Sequence, residues 1–356
     1  MPGRLALRVR LKCANSPQGA CAMRIGVIGG GSWGTALARL LAGLENEVFL
    51  WFYEPEIALE SAAKRENTVF LPGFPFPPML TPTASMEEAV TGSGVVVAVP
   101  PSHVMRDVMK KAAAFVRSDS LIVSGSKGVE GGTLKRMTEV LQDVLGETYA
   151  SRIGALSGPS FAREVAAGMP TAVTVAAPDE ATAKALQQVF SAPTFRVYRS
   201  TDVTGVELGG AVKNVIAIAA GVSDGLGFGH STRAALVTRG VAEVARLVAK
   251  MGGDPRTASG LSGVGDLVLT CTGDLSRNRT VGLRLGRGEV LKDILAQMRM
   301  VAEGVKNSET IYALACRAGV EMPIAEQMRL LLHEGKPVPK VVGDLMAREA
   351  KPEFWE

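Results

Sequence analysis

The first recognisable unit of the chain begins at Met23 and consists of an apolar run, a cluster of glycines and a second apolar run. The segment reads MRIGVIGGGSWGTALARLLAGLENEVFLW, and its hydrophobic pattern predicts a short strand, a turn, an amphipathic helix and another strand. Strands joined through a helix lie parallel, and parallel sheets are covered by helices on both faces. This unit therefore predicts a doubly wound α/β fold for the first part of the chain.

Three glycines in that turn, Gly29, Gly31 and Gly34, have the spacing GxGxxG. Between a strand and a helix, the first glycine makes a tight turn, the second lets a pyrophosphate approach the backbone, and the third lets helix and strand pack closely. The helix N-terminus adds amide donors and the positive end of its dipole. The pattern predicts a dinucleotide site, with a purely structural turn as the alternative.

An acidic residue about 20 positions after such a loop binds the ribose hydroxyls of NAD. Glu54 lies 54 − 34 = 20 positions after Gly34, just beyond the second predicted strand. Its presence favours NAD if the side chain points inward. Tyr53 precedes it and Pro55 follows, so a solvated glutamate at a loop end is an equal alternative, and the choice between NAD and NADP stays open.

Further apolar runs at 95–99, 121–123, 153–156, 172–175 and 195–198 predict more strands, the last ones antiparallel to the others. The proline-rich stretch 71–78 predicts a rigid loop. Beyond about Ser200 the apolar residues recur with period 3.6, which predicts an all-α second half. We therefore predict a disordered extension over 1–22, a dinucleotide-binding domain over 23–199 and a helical substrate-binding domain over 200–356.

Composition argues against several classes of protein. The 39 basic and 35 acidic residues give a formal charge of +4 without a Lys/Arg block, which argues against nucleic-acid binding and suits a small anionic ligand. The four cysteines form no CxxC pair and lie near no histidine cluster, so we expect free thiols and no metal site. No uninterrupted apolar run suits a membrane span, and residues 1–22 lack the continuous apolar core of a signal peptide. We expect a soluble, cytoplasmic protein.

Two lysines are candidates for catalysis. Reduction of a carbonyl needs a proton donor near the developing alkoxide, and a lysine serves when burial or neighbouring cations bring its pKa towards neutrality. Lys213 lies in the otherwise apolar segment GGAVKNV, where a role lining a cleft is favoured over a side chain that reaches out to water. Lys127, in SGSKGVE, follows the carboxyl end of a predicted strand, and an ordinary surface lysine is an equal alternative there.

The segment SGVGDLVLTCTGDLSRNRTVG places Asp266, Ser276, Arg277 and Asn278 on what its glycines predict to be loops. The planar guanidinium of Arg277 can bind a phosphate, and Ser276 and Asn278 can add neutral hydrogen bonds. By itself a Ser-Arg-Asn sequence is more often a solvated helix cap than an anion site.

Five blocks in the same order, SGPSFAREVAAG, ELGGAVKNVIAIAAGVSDGLGFG, GVGDLVLTCTG, SRNR and VAEGVKN, closely resemble bacterial NAD(P)-dependent glycerol-3-phosphate dehydrogenases. The resemblance runs from Met23 to about His333. It implies a Rossmann domain joined to an all-α domain similar to the C-terminal domain of 6-phosphogluconate dehydrogenase, with the active site between them. It also implies reversible reduction of dihydroxyacetone phosphate to sn-glycerol 3-phosphate by NADH or NADPH without a metal, for glycerophospholipid synthesis. No nucleic acid or stable membrane association is implied, and a homodimer stays open.

The resemblance also implies roles for single residues. Lys213 corresponds to the general acid and base at the C2 oxygen, and Lys127 to a second cation of the cleft. The implied substrate-binding residues are Lys127, Gly158, Ser160, Lys213, Asn214, Asp266, Ser276, Arg277 and Asn278, with Arg277 and Asn278 at the phosphate. The implied cofactor-binding residues are Gly29, Gly31, Ser32, Trp33, Gly34, Tyr53, Lys127, Ala162, Arg277, Val301 and Glu303.

One position departs from this family. After the tryptophan of the second strand the family usually has a small residue and then a basic or imidazole side chain, whereas this chain has Phe52 and Tyr53. Loss of that cation removes a charge-assisted hydrogen bond to an adenosine 2′-phosphate worth roughly 1.5–3 kcal/mol, or about ten- to a hundredfold in affinity. We therefore expect both cofactors to be accepted, with NADH more competitive than usual.

Three alternatives compete with this interpretation. A dehydrogenase of the same architecture that acts on a hydroxy acid or sugar acid is disfavoured by the SRN block and by the pair Lys213 and Asn214. A redox-sensing module that binds NAD(H) as a signal would need a partner or DNA surface, and no basic recognition helix is visible. A histidine acid is disfavoured because neither His103 nor His230 has an evident carboxylate partner.

Overall fold

The computed structural model describes residues 22–298 and 302–353. The strands are β1 (Arg24–Ile28), β2 (Glu47–Trp51), β3 (Leu80–Thr83), β4 (Val95–Ala98), β5 (Leu121–Ser124), β6 (Ile153–Ser157), β7 (Thr171–Ala176) and β8 (Phe195–Ser200). They form one eight-stranded sheet in the order β3-β2-β1-β4-β5-β6-β7-β8. The strands β1 to β6 are parallel, which confirms the doubly wound sheet.

The helices within this part of the chain are α1 (Ser32–Ala42), α2 (Pro55–Lys64), α3 (Met86–Val90), α4 (Met105–Ala112), α5 (Met137–Leu145), α6 (Ala162–Ala166) and α7 (Glu180–Phe190). Alternate residues of each central strand face opposite sides of the sheet, so both sides carry an apolar cluster. Val27 and Val97 pack on the side covered by α1 and α7, whereas Val96 and Ala98 pack on the side covered by α4 and α5. Burial on both faces explains why these strands are continuous apolar runs.

The last two strands run against the other six, as expected from the sequence. β7 pairs antiparallel with β6, and β8 pairs parallel with β7 after the crossover helix α7. The edge strand β3 was not predicted, because its sequence LTPT is short and contains Pro82. Proline is tolerated at a sheet edge, where its missing N–H faces no partner strand. The proline-rich stretch 71–78 before it lies outside helices and strands, as predicted.

The second half of the described chain is helical, which confirms the predicted change of character near Ser200. Its helices are α8 (Val203–Gly225), α9 (His230–Lys250), α10 (Asp266–Thr272), α11 (Arg277–Gly286), α12 (Leu291–Ala296), α13 (Glu303–Ala318), α14 (Pro323–His333) and α15 (Val338–Met346). The helix α8 is the centre of this half and packs against α9, α10, α11 and α13. By length and composition α8 could cross a membrane, but its most apolar window is completely buried inside the protein.

The cysteine and N-terminal predictions are only partly covered by the structure. Cys271 is buried and Cys316 is exposed, and both are free thiols. Cys13, Cys21 and the predicted extension, up to residue 21, lie outside the described residues.

Candidate active site

Lys213 lies in the middle of α8 with its side chain inside the protein. The residue is 7% exposed, so its side chain does not reach out to water. Its Nζ donates to Oδ1 of Asp266 and, at 3.0 Å, to Oγ1 of Thr270. The ammonium has three N–H donors, so one remains for a ligand beyond these two partners.

Asp266 is the first residue of α10 and is completely buried. A π-helical turn, Leu261–Gly265, leads the chain into this position. The second carboxylate oxygen, Oδ2, accepts from Lys127 Nζ at 2.6 Å. One buried carboxylate therefore holds both candidate lysines, and two cations face one anion at the same point of the molecule.

The environment of Lys213 lowers its pKa to about 8. Burial is the largest cause, because the charged ammonium loses its hydration. The negative charge of Asp266 opposes this shift, and the positive charge of Lys127 adds to it. A lysine in this state releases and regains a proton near neutral pH, which suits general acid–base catalysis.

Thr270 is a site residue that the sequence did not reveal. Its hydroxyl donates to the backbone carbonyl of Asp266 at 2.6 Å and accepts from Lys213. The one available signal was spacing, because residues four apart on a helix lie on the same face and Thr270 follows Asp266 by 270 − 266 = 4. A threonine in an apolar helix is otherwise unremarkable in sequence.

Lys127 stands at the carboxyl edge of the sheet, three residues after β5 ends at Ser124. Besides Asp266, it donates to the carbonyl of Gly158 at 3.3 Å, and Ser160 donates to the same carbonyl at 3.0 Å. Gly210 lets α8 approach this edge, since a Cβ there would lie 2.6 Å from Ser157 Oγ. The alternative of an ordinary surface lysine is therefore wrong for Lys127.

A chain of buried amides connects the helices around Lys213. Asn278 donates to Oδ1 of Asn214 at 3.0 Å and accepts from the backbone N–H of Gly304 at 2.9 Å. Asn307, which the sequence analysis did not single out, donates to the carbonyl of Lys127 at 3.2 Å. These amides tie α8, α11, α13 and the loop after β5 into one rigid wall of the site.

The expectation that Asp266, Arg277 and Asn278 lie on loops is wrong. Asp266 begins α10, while Arg277 and Asn278 form the first turn of α11. Ser276 is the N-cap of α11 and accepts from the backbone N–H of Arg279 at 3.2 Å. Glycines on either side suggested loops, but they mark the ends of short helices.

Arg277 is exposed at the N-terminus of α11. The carboxylate of Glu303, at the start of α13, is close enough for the two charges to interact. The neighbouring Arg279 is held by Asp224 at 2.8 Å and by Asp274 at 3.0 Å. Of these two arginines of the SRNR block, Arg277 is the one that presents its charge beside the half-buried Glu303 at the site.

The glycine turn has the geometry of a nucleotide cradle. Gly29 has φ +124°, and a Cβ at Gly34 would collide with the carbonyl of Gly29. At Gly31, the N-cap of α1, nothing lies within 4 Å of a Cβ position, so the backbone stays open to a ligand. Trp33 adds a buried indole Nε1 without a hydrogen-bond partner among the described residues. These residues fit a pyrophosphate beside the N-terminus of α1.

The remaining predicted cofactor residues are dispersed around this cradle. Ser32 begins α1, and Ala162 begins α6 and packs against the core that α1 also covers. Tyr53 follows β2 and is 67% exposed. Glu54 occupies the N-cap of α2 without a capping hydrogen bond from its side chain, and its role at the ribose stays a prediction. Val301 lies outside the described residues.

Within the described residues, neither a histidine nor a group of metal ligands accompanies the two lysines. His103 is exposed in the turn after β4, His230 begins α9, and His333 binds Ser308. Among the described residues, Lys213 and Asp266 bind each other, Thr270 and Lys127, and no imidazole. Burial and then the charge of Lys306 lower the pKa of His103. Within residues 22–298 and 302–353, no group of three His, Cys, Asp or Glu side chains could hold a metal ion.

Comparisons with known proteins cover both halves of the chain. The family model for the N-terminus of NAD-dependent glycerol-3-phosphate dehydrogenase matches residues 24–183, and the model for its C-terminus matches residues 202–343. Glycerol-3-phosphate dehydrogenase [NAD(P)+] of Geobacter sulfurreducens is 57% identical over 332 residues, which cover 93% of this chain and 99% of the relative. The protein of the same name from Myxococcus xanthus is 51% identical over 332 residues, 93% of this chain and 99% of the relative.

Solved structures show the same similarity. The crystal structure of glycerol-3-phosphate dehydrogenase from Coxiella burnetii is 39% identical, with a TM-score of 0.87 over 92% of this chain and 99% of that one. A ketopantoate reductase from Ralstonia eutropha, at 15% identity and a TM-score of 0.57 over 90% of this chain and 100% of that one, shares the fold alone.

Proposed function

The chain belongs to the NAD-dependent glycerol-3-phosphate dehydrogenase family, and we propose on that premise that Lys213 is the acid and base of its reaction. The reaction is the NAD(P)-linked interconversion of dihydroxyacetone phosphate and sn-glycerol 3-phosphate. The observation that carries the residue assignment is the buried ammonium of Lys213, bound to Asp266 and Thr270 with one N–H to spare. The remaining N–H is directed to the C2 oxygen of the substrate.

When bound, the reduced nicotinamide supplies a hydride to C2 of the ketone. Lys213 donates its proton to the C2 oxygen as negative charge develops there, and the same amine accepts it in the reverse direction. Asp266 and Thr270 fix the ammonium, so the proton is aimed before the substrate arrives. Lys127 adds a second positive charge at the same carboxylate, which helps Lys213 to lose its proton.

The phosphate of the substrate is assigned to Arg277. Arg277 lies at the start of α11, and its guanidinium has the planar shape that matches phosphate oxygens. Binding energy at this distant group orients the ketone at Lys213. The side chain of Asn278 is engaged with Asn214 and Gly304, which supports a role in holding the wall behind the phosphate.

The wider assignments belong to the same proposal. Residues 23–199 form the cofactor domain and residues 200–356 the substrate domain, since the last strand ends at Ser200 and α8 begins at Val203. The product supplies the backbone of glycerophospholipids in the cytoplasm. A homodimer stays a prediction.

Replacement of Lys213 by methionine tests the assignment. Methionine fills a similar volume without charge, and Asp266 keeps Lys127 as a partner, so the fold should persist. We expect the rate of ketone reduction to fall by about 10²–10⁴-fold, the usual contribution of a general acid. The measurement is the steady-state oxidation of NADH with dihydroxyacetone phosphate, alongside cofactor binding, which should be retained. Lys250→Met, at an exposed lysine of α9, is the control, and wild-type turnover in Lys213→Met would remove Lys213 from this role.

A further inference from the structure

An exposed aromatic ring and a lysine meet where the adenosine end of a dinucleotide would leave the glycine turn. Tyr53 is 67% exposed, and Nζ of Lys111 lies 5.9 Å from the centroid of its ring. The ring of Trp51 meets Tyr53 edge-on, with centroids 6.2 Å apart and an interplanar angle of 78°. Attraction between the ammonium and the ring face holds Lys111 at this place.

The strand order brings these two residues beside the glycine turn. β1 lies between β2 and β4, so the segments that leave β2 and β4 flank the glycine turn that follows β1. Tyr53 is in the first of these segments, and α4, with Lys111 in its last turn, follows the second. Met105 and Met109 of α4 pack in the same apolar cluster as Trp51, which fixes α4 beside the end of β2.

The charges in this region single out Lys111. The sequence after β2, Phe52 to Glu56, contains no basic residue. Arg106, also on α4, is engaged with Glu130 at 2.8 Å and Asp143 at 3.0 Å. Among the residues that the structure describes, no carboxylate forms a salt bridge with Lys111, which leaves its charge for a ligand.

We propose that Lys111, held over Tyr53, is the cation that binds the adenosine 2′-phosphate of NADP(H), while Glu54 accepts a hydrogen bond from the 2′-hydroxyl of NAD(H). The inference rests on the cofactor site proposed above and adds a residue to it. Tyr53 stands where a basic side chain was expected after β2, and Lys111 supplies a positive charge there from α4. With the carboxylate of Glu54 and the ammonium of Lys111 at the same ribose, the chain can bind both cofactors.

Replacement of Lys111 by methionine tests this role. The loss of one charge-assisted hydrogen bond should lower kcat/KM for NADPH by about 10–100-fold. The same value for NADH should change less than about twofold, since no 2′-phosphate is present, whereas Lys111→Arg should keep most of the NADPH activity. Lys110→Met, at the exposed neighbouring lysine of α4, is the matched control and should leave both values unchanged.

Binding without substrate separates this inference from the proposed cofactor site. Titration of the wild-type protein with NADPH and with NADH should show both cofactors binding. If neither binds, the cofactor site itself is misplaced. If both bind, but Lys111→Met leaves the two dissociation constants unchanged or raises both by the same factor, Lys111 does not bind the 2′-phosphate. A wild-type protein that binds NADH but not NADPH would also overturn the inference.

Discussion

The proton on Lys213 should control how the reaction depends on pH. Its pKa of about 8 means that the ammonium form, which reduction needs, is lost as the pH rises through about 8. We therefore expect kcat/KM for reduction to fall above this pH and kcat/KM for oxidation, which needs the free amine, to rise over the same interval, because kcat/KM reports the pKa values of the free enzyme. Steady-state rates in both directions between pH 6 and pH 10 check this expectation.

A variant of Asp266 tests the cause of this dependence. The carboxylate of Asp266 raises the pKa of Lys213, so Asp266→Asn should move the falling limb for reduction to lower pH. The position of the limb is the readout, because the absolute rate will fall as well. A limb that stays in place would show that another group controls the rate.

Sequence reasoning found the site residues that conflict with their surroundings. Lys213 was identified because a charged side chain is costly to bury in an apolar helix unless it is paired, and the structure places it against Asp266. Thr270 and Asn307 were missed because their types are ordinary in a helix and their roles depend on contacts across the fold. The partner of Lys127 could not be predicted either, since Asp266 is distant from it in sequence and is brought there by the packing of α10.

At the scale of elements, long periodic segments were predicted well and short ones poorly. The helices α9, α13 and α14 follow their period-3.6 apolar stripes, and burial of those stripes is what stabilises them. The stripe predicted for α8 is wrong, because α8 is buried on all sides from Gly205 to Ser223. The strand β3 and the short helix α10 carry too few residues for a periodic signal, and most residues of α11 are polar or glycine. Tertiary packing decides such elements, as the turn that leads into Asp266 shows.

A buried acid of α9 lies against the start of α14, and its charge should affect stability. Glu243 of α9 accepts from the backbone N–H of Ile324 at 2.7 Å and of Ala325 at 3.3 Å. Burial, opposed by these hydrogen bonds, raises its pKa from 4.5 to about 7. A carboxyl with a raised folded-state pKa favours folding when it is protonated, so this contribution is full below about pH 4.5 and is lost as the pH rises through 7.

Comparison with Glu243→Gln isolates this effect, because the amide does not titrate. We expect the wild-type protein to lose up to about 3 kcal/mol of unfolding free energy relative to the variant between pH 5 and pH 8. Urea unfolding of both proteins across this interval measures the difference. A difference that does not change with pH would show that Glu243 is not buried as a titrating acid.

At the scale of the whole molecule, the order of the two halves was predicted, but the contacts that join them were not. The change from strand to helix patterns near Ser200 is a local signal, and the structure follows it. The contacts between the halves join residues far apart in the chain. Glu207 of α8, for example, lies against the N-terminus of α5, and nothing in its own neighbourhood of sequence indicates this.

Glu207 is therefore expected to hold the helical half on the sheet. Its buried carboxylate accepts from Arg136 at 2.9 Å and from the backbone N–H of Thr138 at 2.8 Å. Glu207→Ala would leave the buried backbone N–H and hydroxyl of Thr138 without their acceptor, whereas Arg136 would keep Glu139 as a partner, so the loss should be about 1–3 kcal/mol of unfolding free energy. Glu180→Ala, which breaks the exposed pair with Arg199, should cost at most about 1 kcal/mol. Urea unfolding of both variants provides the comparison, and equal losses would mean that Glu207 is no more than another surface ion pair.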